Sequence, residues 1–289
     1  MIGSSELIIN QDGSIFHLHL KPGQVADQVI LVGDPARVDL VAGYFQQKEF
    51  RIQNREFVSV TGTYNSMRVT VISTGIGTDN IDIVMNELDA LVNIDFSSRE
   101  VKEQKRSLRI IRLGTSGGLQ KDLELNDFVI SEKAIGFDGL LNFYADRAKI
   151  ADADFEDHFK KHVEWNPLLT SPYVVDCSAS LFKKINGKEF STGVTISAPG
   201  FYGPQGRTLR LKTIDPEINK KIESFSYGDH KITNYEMECS AIYGLSALMG
   251  HEALTICLII ANRLKKEANN HYHSNMEKLI KLVLDRIVT

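Results

Sequence analysis

Residues 28–45 read QVILVGDPARVDLVAGYF. The stretch from Gln28 to Val32 is apolar without polar alternation, the pattern of a strand covered on both faces. Gly33-Asp34-Pro35 interrupts it, and Pro35–Phe45 then repeats apolar residues at helical spacing. A buried strand that turns at once into a helix is the repeating unit of layered α/β folds. The alternation continues outward from here. Arg68–Ser73, Leu108–Leu113, Phe128–Ser131, Gly193–Ser197 and Ala253–Ile260 read as strands, while Asn80–Val92 (entered after Asp79 or Asn80) and Asn234–Met249 read as helices. Ser274–Ile287 repeats apolar residues at helical spacing (Met276, Leu279, Ile280, Leu282, Val283 and Ile287) and reads as a closing amphipathic helix. The expected architecture is an α/β three-layer α/β/α sandwich with a central mixed β-sheet, spanning residues 1–289 as a single domain.

Bulk properties narrow the function classes. The 289 residues are 43% hydrophobic and 24% charged, with a net charge of -4, which supports a large core and disfavours a nucleic-acid partner. Cys177, Cys239 and Cys257 share no metal-ligand spacing and are odd in number, as suits a reducing compartment. The first twenty residues lack a basic and then apolar leader pattern, and no run is long enough to span a bilayer. A cytoplasmic protein without membrane association is expected. Phe96–Ser107 is polar and reads as a solvated loop extension, and Asp152–Pro172 is irregular around Trp165.

Three strand-to-turn segments carry the chemistry. Gly33-Asp34-Pro35-Ala36-Arg37 would offer an anion the N-terminus of a helix and a guanidinium one turn on, although Gly-Asp-Pro also serves as an ordinary turn. Ser73-Thr74-Gly75-Ile76-Gly77-Thr78-Asp79-Asn80 has GxG but no third glycine, which fits a dinucleotide fingerprint poorly. In Arg112-Leu113-Gly114-Thr115-Ser116-Gly117-Gly118, an arginine closes an apolar strand and is followed by hydroxyls and glycines. Burying that charge demands an anionic partner. A small bound oxyanion or an internal salt bridge beside a tight turn would each supply it.

These segments, with Phe16-His17-Leu18, Asn54-Arg55-Glu56-Phe57 and Asn234-Tyr235-Glu236-Met237-Glu238, resemble the nucleoside phosphorylase family from His17 to Arg263. The resemblance implies a phosphate site made of Gly33, Arg37, Arg112 and Thr115, with Arg55 supplied by a neighbouring subunit. It implies a ribose site of Thr115, Glu236, Met237 and Glu238, with Glu238 accepting the 2′- and 3′-hydroxyls and His17 reaching the 5′-hydroxyl from the neighbour. A lone histidine among apolar residues is more often a satisfied core side chain; the resemblance alone assigns His17 to a ligand. A solvated helix face is the other place for Glu238, but Met237, Cys239 and the apolar stretch after it favour burial.

The base end separates the branches of the family. Phe201-Tyr202-Gly203-Pro204-Gln205-Gly206-Arg207 is similar to the uracil-reading stretch of uridine phosphorylases. Gln205 can pair with O2 and N3–H, Arg207 can donate to O4, and Phe201 can stack on the ring. Ser116, Gly117 and Arg263 complete this expected base site. Purine-cleaving members place an aspartate after the strand that here ends Ile260-Ala261-Asn262, as general acid. The resemblance therefore implies reversible phosphorolysis of uridine to uracil and ribose 1-phosphate, in pyrimidine salvage, with Arg112, Glu238 and Arg207 as the central groups. Inorganic phosphate is co-substrate and no cofactor is implied. A shared site makes the chain a homodimer at least, or a hexamer built as a trimer of dimers. Some members hold potassium between subunits; Glu56 is retained here, but Asn80 stands where they have serine. A purine phosphorylase, a phosphate-independent nucleosidase, a nucleoside sensor and a dinucleotide oxidoreductase are the rival readings.

Overall fold

The computed structural model covers residues 1–289. From the quoted stretch come β1 (Gln28–Val32), buried at every position, and α1 (Pro35–Ala42). Next are the hairpin β2 (Gln47–Asn54) and β3 (Phe57–Tyr64), then β4 (Met67–Ser73) and α2 (Thr78–Asn93). A small hairpin of β5 (Ile94–Asp95) and β6 (Glu100–Val101) precedes β7 (Arg109–Gly118) and β8 (Phe128–Gly136). Then follow α3 (Ala153–His162), β9 (Tyr173–Asp176), α4 (Ala179–Ile185) and β10 (Phe190–Ser197). The chain ends with α5 (Ile218–Ser224), β11 (Ser226–Tyr227), β12 (His230–Glu236), α6 (Cys239–Met249), β13 (Glu252–Asn262), β14 (Glu267–Ala268) and α7 (His273–Val288).

The large sheet runs β11-β12-β10-β8-β13-β7-β1-β4-β3-β2, with β9 beside β8 and β14 beside β13. It is mixed: β1, β4, β7 and β13 pair in parallel, while β13 meets β8 antiparallel. Side chains from α2 and α6 share a core with Val29, Leu31 and Ile72. Those from α1, α4 and α7 pack on the other face with Ile30, Val32 and Val71. These are the three expected layers. A further apolar cluster joins α3 and α5 to β10 and β12.

One pairing governs the site. β12 also bonds antiparallel to the far end of β7, with Asn234 opposite Gly118 and Tyr235 opposite Gly117. The strands β7, β13, β8, β10 and β12 thus close on themselves. Register shifts at Gly193/Val194 and Ile259/Ala261 provide the local bends that such closure needs. The ends of β7, β12 and β13 are thereby drawn to one point.

Several expectations change. Asn234–Glu236 is strand rather than helix, and the helix begins only at Cys239. The reason is polar: Thr233 and Thr195 both donate their hydroxyls to the Asn234 side-chain oxygen inside the sheet, at 2.8 and 2.9 Å. Arg112 lies within a ten-residue strand, not at its end, and no tight turn follows it. α2 starts at Thr78, ahead of Asp79 and Asn80. The Phe96–Ser107 extension is more than a solvated loop. With Arg99 before it closes, it bonds to Ile2 and Gly3, and Lys102 and Arg106 donate to the carbonyls of Val92 and Val25.

Tyr173 lies across Gly136 of β8, and its hydroxyl donates toward Asp138 beside Ser240 at the start of α6. A methyl at Gly136 would collide with the ring. We expect Gly136→Ala to destabilise the fold by about 1–3 kcal/mol, read as a lowered thermal midpoint; an unchanged midpoint would show that the ring moves freely.

Candidate active site

At the point where β1, β4, β7, β12 and β13 end, a cavity of about 490 Å³ opens. One end is cationic. Arg37, buried in α1, donates to the carbonyl of Leu113 at 3.2 Å, which fixes it beside Arg112. Burial pulls its pKa down, and Arg112 adds to the effect. Gly33 and Thr115 line the same end. The N-terminus of α1 is already occupied: the Asp34 side chain accepts from Ala36 N–H at 2.9 Å. The anion-attracting groups here are the guanidiniums rather than the helix end.

The middle of the cavity holds a buried ionic cluster. Arg112 pairs with Glu236 at 3.2 Å and with Glu238 more closely. Glu238 also accepts the Gly77 N–H at 2.7 Å. Both carboxylates and the guanidinium are at least nine-tenths buried. Burial alone would lower the arginine's pKa, but Glu238 and Glu236 hold it above its ordinary value. Burial pushes the Glu236 carboxyl up, Arg112 draws it down, and Glu238 pushes it up again. Gly114 gives the cluster its room, because a Cβ there would overlap the Arg112 guanidinium.

Glu236 does more than balance charge. Its carboxylate accepts the backbone N–H groups of Glu238 and Cys239 at 2.9–3.0 Å, and Ser197 donates to it at 2.5 Å. The N-cap residue Glu238 makes no side-chain cap bond, so Glu236 satisfies two of the orphan donors at the start of α6, and Ser197 Oγ accepts a third from Ser240 N–H at 2.8 Å. Glu236, Met237 and Glu238 all line the cavity, and of the two glutamates Glu236 makes more bonds to the protein.

The other end has a different character. Arg263 donates to the Gln205 side-chain oxygen at 2.7 Å, and Arg207 approaches the same oxygen at 3.4 Å. The Arg207 guanidinium sits 3.5 Å from the Phe201 ring centroid and donates to the Phe201 carbonyl. Burial, with Arg207 nearby, brings the Arg263 pKa down to about 10, so it stays cationic at neutral pH. Gly117 makes space for it, as Gly114 does for Arg112. Ser116 Oγ, the Tyr235 hydroxyl and Arg263 Nε are buried without partners within the chain. The carboxylates lining the cavity are Asp34, Glu236 and Glu238, all toward the arginine cluster; β13 ends in Ile260-Ala261-Asn262.

Residues 27–288 match the family model described as the phosphorylase superfamily. The chain belongs to that superfamily. A uridine phosphorylase of Thermococcus kodakarensis is 28% identical over 91% of this phosphorylase and 83% of its own length. A DeoD-type purine nucleoside phosphorylase of Listeria welshimeri is 29% identical over 84% of this chain and 85% of its own. Among solved structures, a Trypanosoma brucei nucleoside phosphorylase described as showing uridine phosphorylase activity superposes with a TM-score of 0.89. It is 29% identical and covers 98% of this chain and 99% of its own.

Of the expected site residues, Gly33, Arg37, Arg112, Thr115, Ser116, Gly117, Phe201, Gln205, Arg207, Glu236, Met237, Glu238 and Arg263 gather at this one cavity of the phosphorylase. His17 and Arg55 do not line it. Tyr235 and Tyr272 do, and neither was singled out from the sequence. Tyr235 was within a quoted motif, but nothing in its spacing marks an unpartnered hydroxyl. Tyr272 sits beyond β14 and raises the Arg37 pKa from close by. The Gln205 oxygen, expected to accept N3–H, is engaged by Arg263, whereas its amide nitrogen makes no bond within the chain. Glu56 accepts from the Asn80 amide at 3.2 Å, so these two positions are bonded to each other within the chain. No helix is long and apolar enough to cross a membrane.

The Glu236 environment predicts a pH signature. Its folded-state pKa is raised, so the stability it contributes is full below the ordinary carboxylate pKa and is lost as pH rises through the elevated value. Glu236→Gln should remove that part of the pH dependence. The wild-type minus variant difference in thermal midpoint should then shrink steadily as pH rises across this window; a constant difference would count against it.

Proposed function

We propose that this phosphorylase cleaves uridine with inorganic phosphate, giving uracil and ribose 1-phosphate. The observation that carries the reading is the base end of the cavity, where Gln205, Arg207 and Arg263 converge and no carboxylate is present. A departing uracil gains negative charge on its oxygens and N1, which two cationic side chains and an amide stabilise as the bond breaks. A departing purine needs a proton at its ring nitrogen, and the residues at the end of β13 supply none. The Thermococcus and Trypanosoma proteins, with their printed uridine phosphorylase activities, support this assignment. The Listeria relative shows that overall identity does not separate the branches.

In this reading Arg37, Arg112, Thr115 and Gly33 hold phosphate below C1′. Glu238 accepts the ribose hydroxyls, with Met237 against the sugar. As the glycosidic bond lengthens, the phosphate charge stabilises the oxocarbenium-like ribose and then captures C1′ with inversion. Positioning and electrostatics carry the step, and no covalent intermediate on the protein is needed. Phosphate has to compete with Glu238 and Glu236 for Arg112, whereas Arg37 has no carboxylate pair within the chain. Arg55, at a left-handed φ of 53° in the β2–β3 turn, and His17 would enter the site of an adjoining subunit, so the working form is at least a dimer. The chain acts in the cytoplasm in this reading.

Uracil release from uridine should require phosphate, and inosine should be cleaved far more slowly. Phosphate-independent release would indicate a nucleosidase, and inosine cleavage without uridine cleavage would reverse the base assignment. Arg207→Ala should lower kcat/KM for uridine by about 100-fold while changing phosphate binding little. Equal losses in both would remove Arg207 from base recognition.

A further inference from the structure

Outside the cavity, one carboxylate gathers an unusual number of donors. Glu87, on α2, accepts the His17 backbone N–H at 2.9 and 3.1 Å, the Leu18 backbone N–H at 2.8 Å, and His17 Nδ1 at 2.7 Å. The Glu87 and His17 side chains are 12% and 25% exposed. The Asn54 amide donates to the His17 carbonyl at 2.8 Å, and Phe57 meets the imidazole edge-on at 6.4 Å between centroids. Leu18 and Leu20, immediately after, are fully buried. The backbone and the ring of His17 are therefore both fixed, whereas the segment around them has almost no regular structure.

An ionised carboxylate can only accept, so the hydrogen at this contact belongs to Nδ1. That choice sets the other nitrogen. Nε2 has no hydrogen-bond partner within the chain, and the side chain is partly exposed, so that end of the ring is free. A neutral imidazole held this way presents an acceptor, which is what a ligand hydroxyl needs in order to donate. The same arrangement, in which a carboxylate fixes one ring nitrogen so that the other meets a ligand, orients histidines at metal sites.

We infer that Glu87 is a positioning residue for substrate recognition: it holds His17 as the Nδ1–H tautomer, so that Nε2 accepts the 5′-hydroxyl of a nucleoside bound to the adjoining subunit. The inference rests on the reading above that His17 meets the ribose in trans, and it adds how the ring is prepared. Glu87 lies on the helix that begins at the Gly77 N–H bonded to Glu238. One helix thus supports the ribose carboxylate of its own site at its N-terminus and the 5′ contact of the neighbouring site nearly three turns along.

The test compares uridine with 5′-deoxyuridine, which lacks only the group in question. The ratio of their kcat/KM values should fall by about tenfold in His17→Ala and by a similar factor in Glu87→Gln. Turnover of 5′-deoxyuridine should change less than twofold in either, and the double variant should fall no further than the singles. If His17→Ala leaves the ratio unchanged, the ribose role of His17 fails and the inference with it. If His17→Ala lowers the ratio while Glu87→Gln does not, or lowers both substrates equally, Glu87 is structural only and the His17 role stands. Should Glu87→Gln not fold, the wild-type enzyme still decides. A nitrogen-15 spectrum of labelled histidine at mildly alkaline pH should place the His17 proton on Nδ1, and a proton on Nε2 would overturn the inference.

Discussion

Arg112 carries a positive charge into the middle of a buried strand, and much of the molecule is arranged around that fact. Removing an ion from water is costly unless its partners are well placed. Two carboxylates provide the compensation here, and each has a second duty. Glu236 secures the first turn of α6, while Glu238 reaches across to the backbone at the start of α2. Strand β7, strand β12 and two helices are joined through one guanidinium. Both glutamates therefore need to come from a segment that leaves a strand and enters a helix within three residues.

The closing of β12 onto β7 explains why the two ends of the cavity differ so sharply. It carries Tyr235 and Asn234 over Gly117 and Gly118, opposite the end of β13. Side chains from three strands can then face one ring-sized space. Glycines at 114 and 117 keep the β7 backbone close enough for guanidiniums to lie over it. At one end Arg112 is paired with two acids beside an unpaired Arg37, whereas the other end keeps Arg207 and Arg263 near each other without an acid.

Much of this was legible in the residues. The apolar runs at 28–32, 68–73 and 253–260 gave the buried strands, and the amphipathic spacing after Ser274 gave α7. The cost of burying Arg112 pointed to an anionic partner, and of the two alternatives left open there the internal salt bridge is present, with Glu236 and Glu238. Asn234–Met249 was misread because its apolar periodicity runs on across a strand end, while the threonine hydroxyls that keep Asn234 in the sheet come from Thr233 and a residue 39 positions away. The Ser197 contact of Glu236 was hidden because it comes from the neighbouring strand β10, 39 residues away. Hairpin β2–β3 escaped notice because β2 is mostly exposed and charged rather than apolar.

That exposed strand has a consequence of its own. β2 is the long open rim of the sheet, the place where a foreign strand could add by backbone bonding. Its exposed side chains include Lys48, Glu49 and Arg51, and the last two are held in pairs with Arg68 and Asp39. A strand approaching this rim would have to strip water from those charges and break the pairs. The register shift between Lys48 and Phe50 further spoils the flat ladder that such growth would copy. The sheet is thereby shielded from runaway self-association along this edge, even while the hairpin's tip is left free to meet another chain.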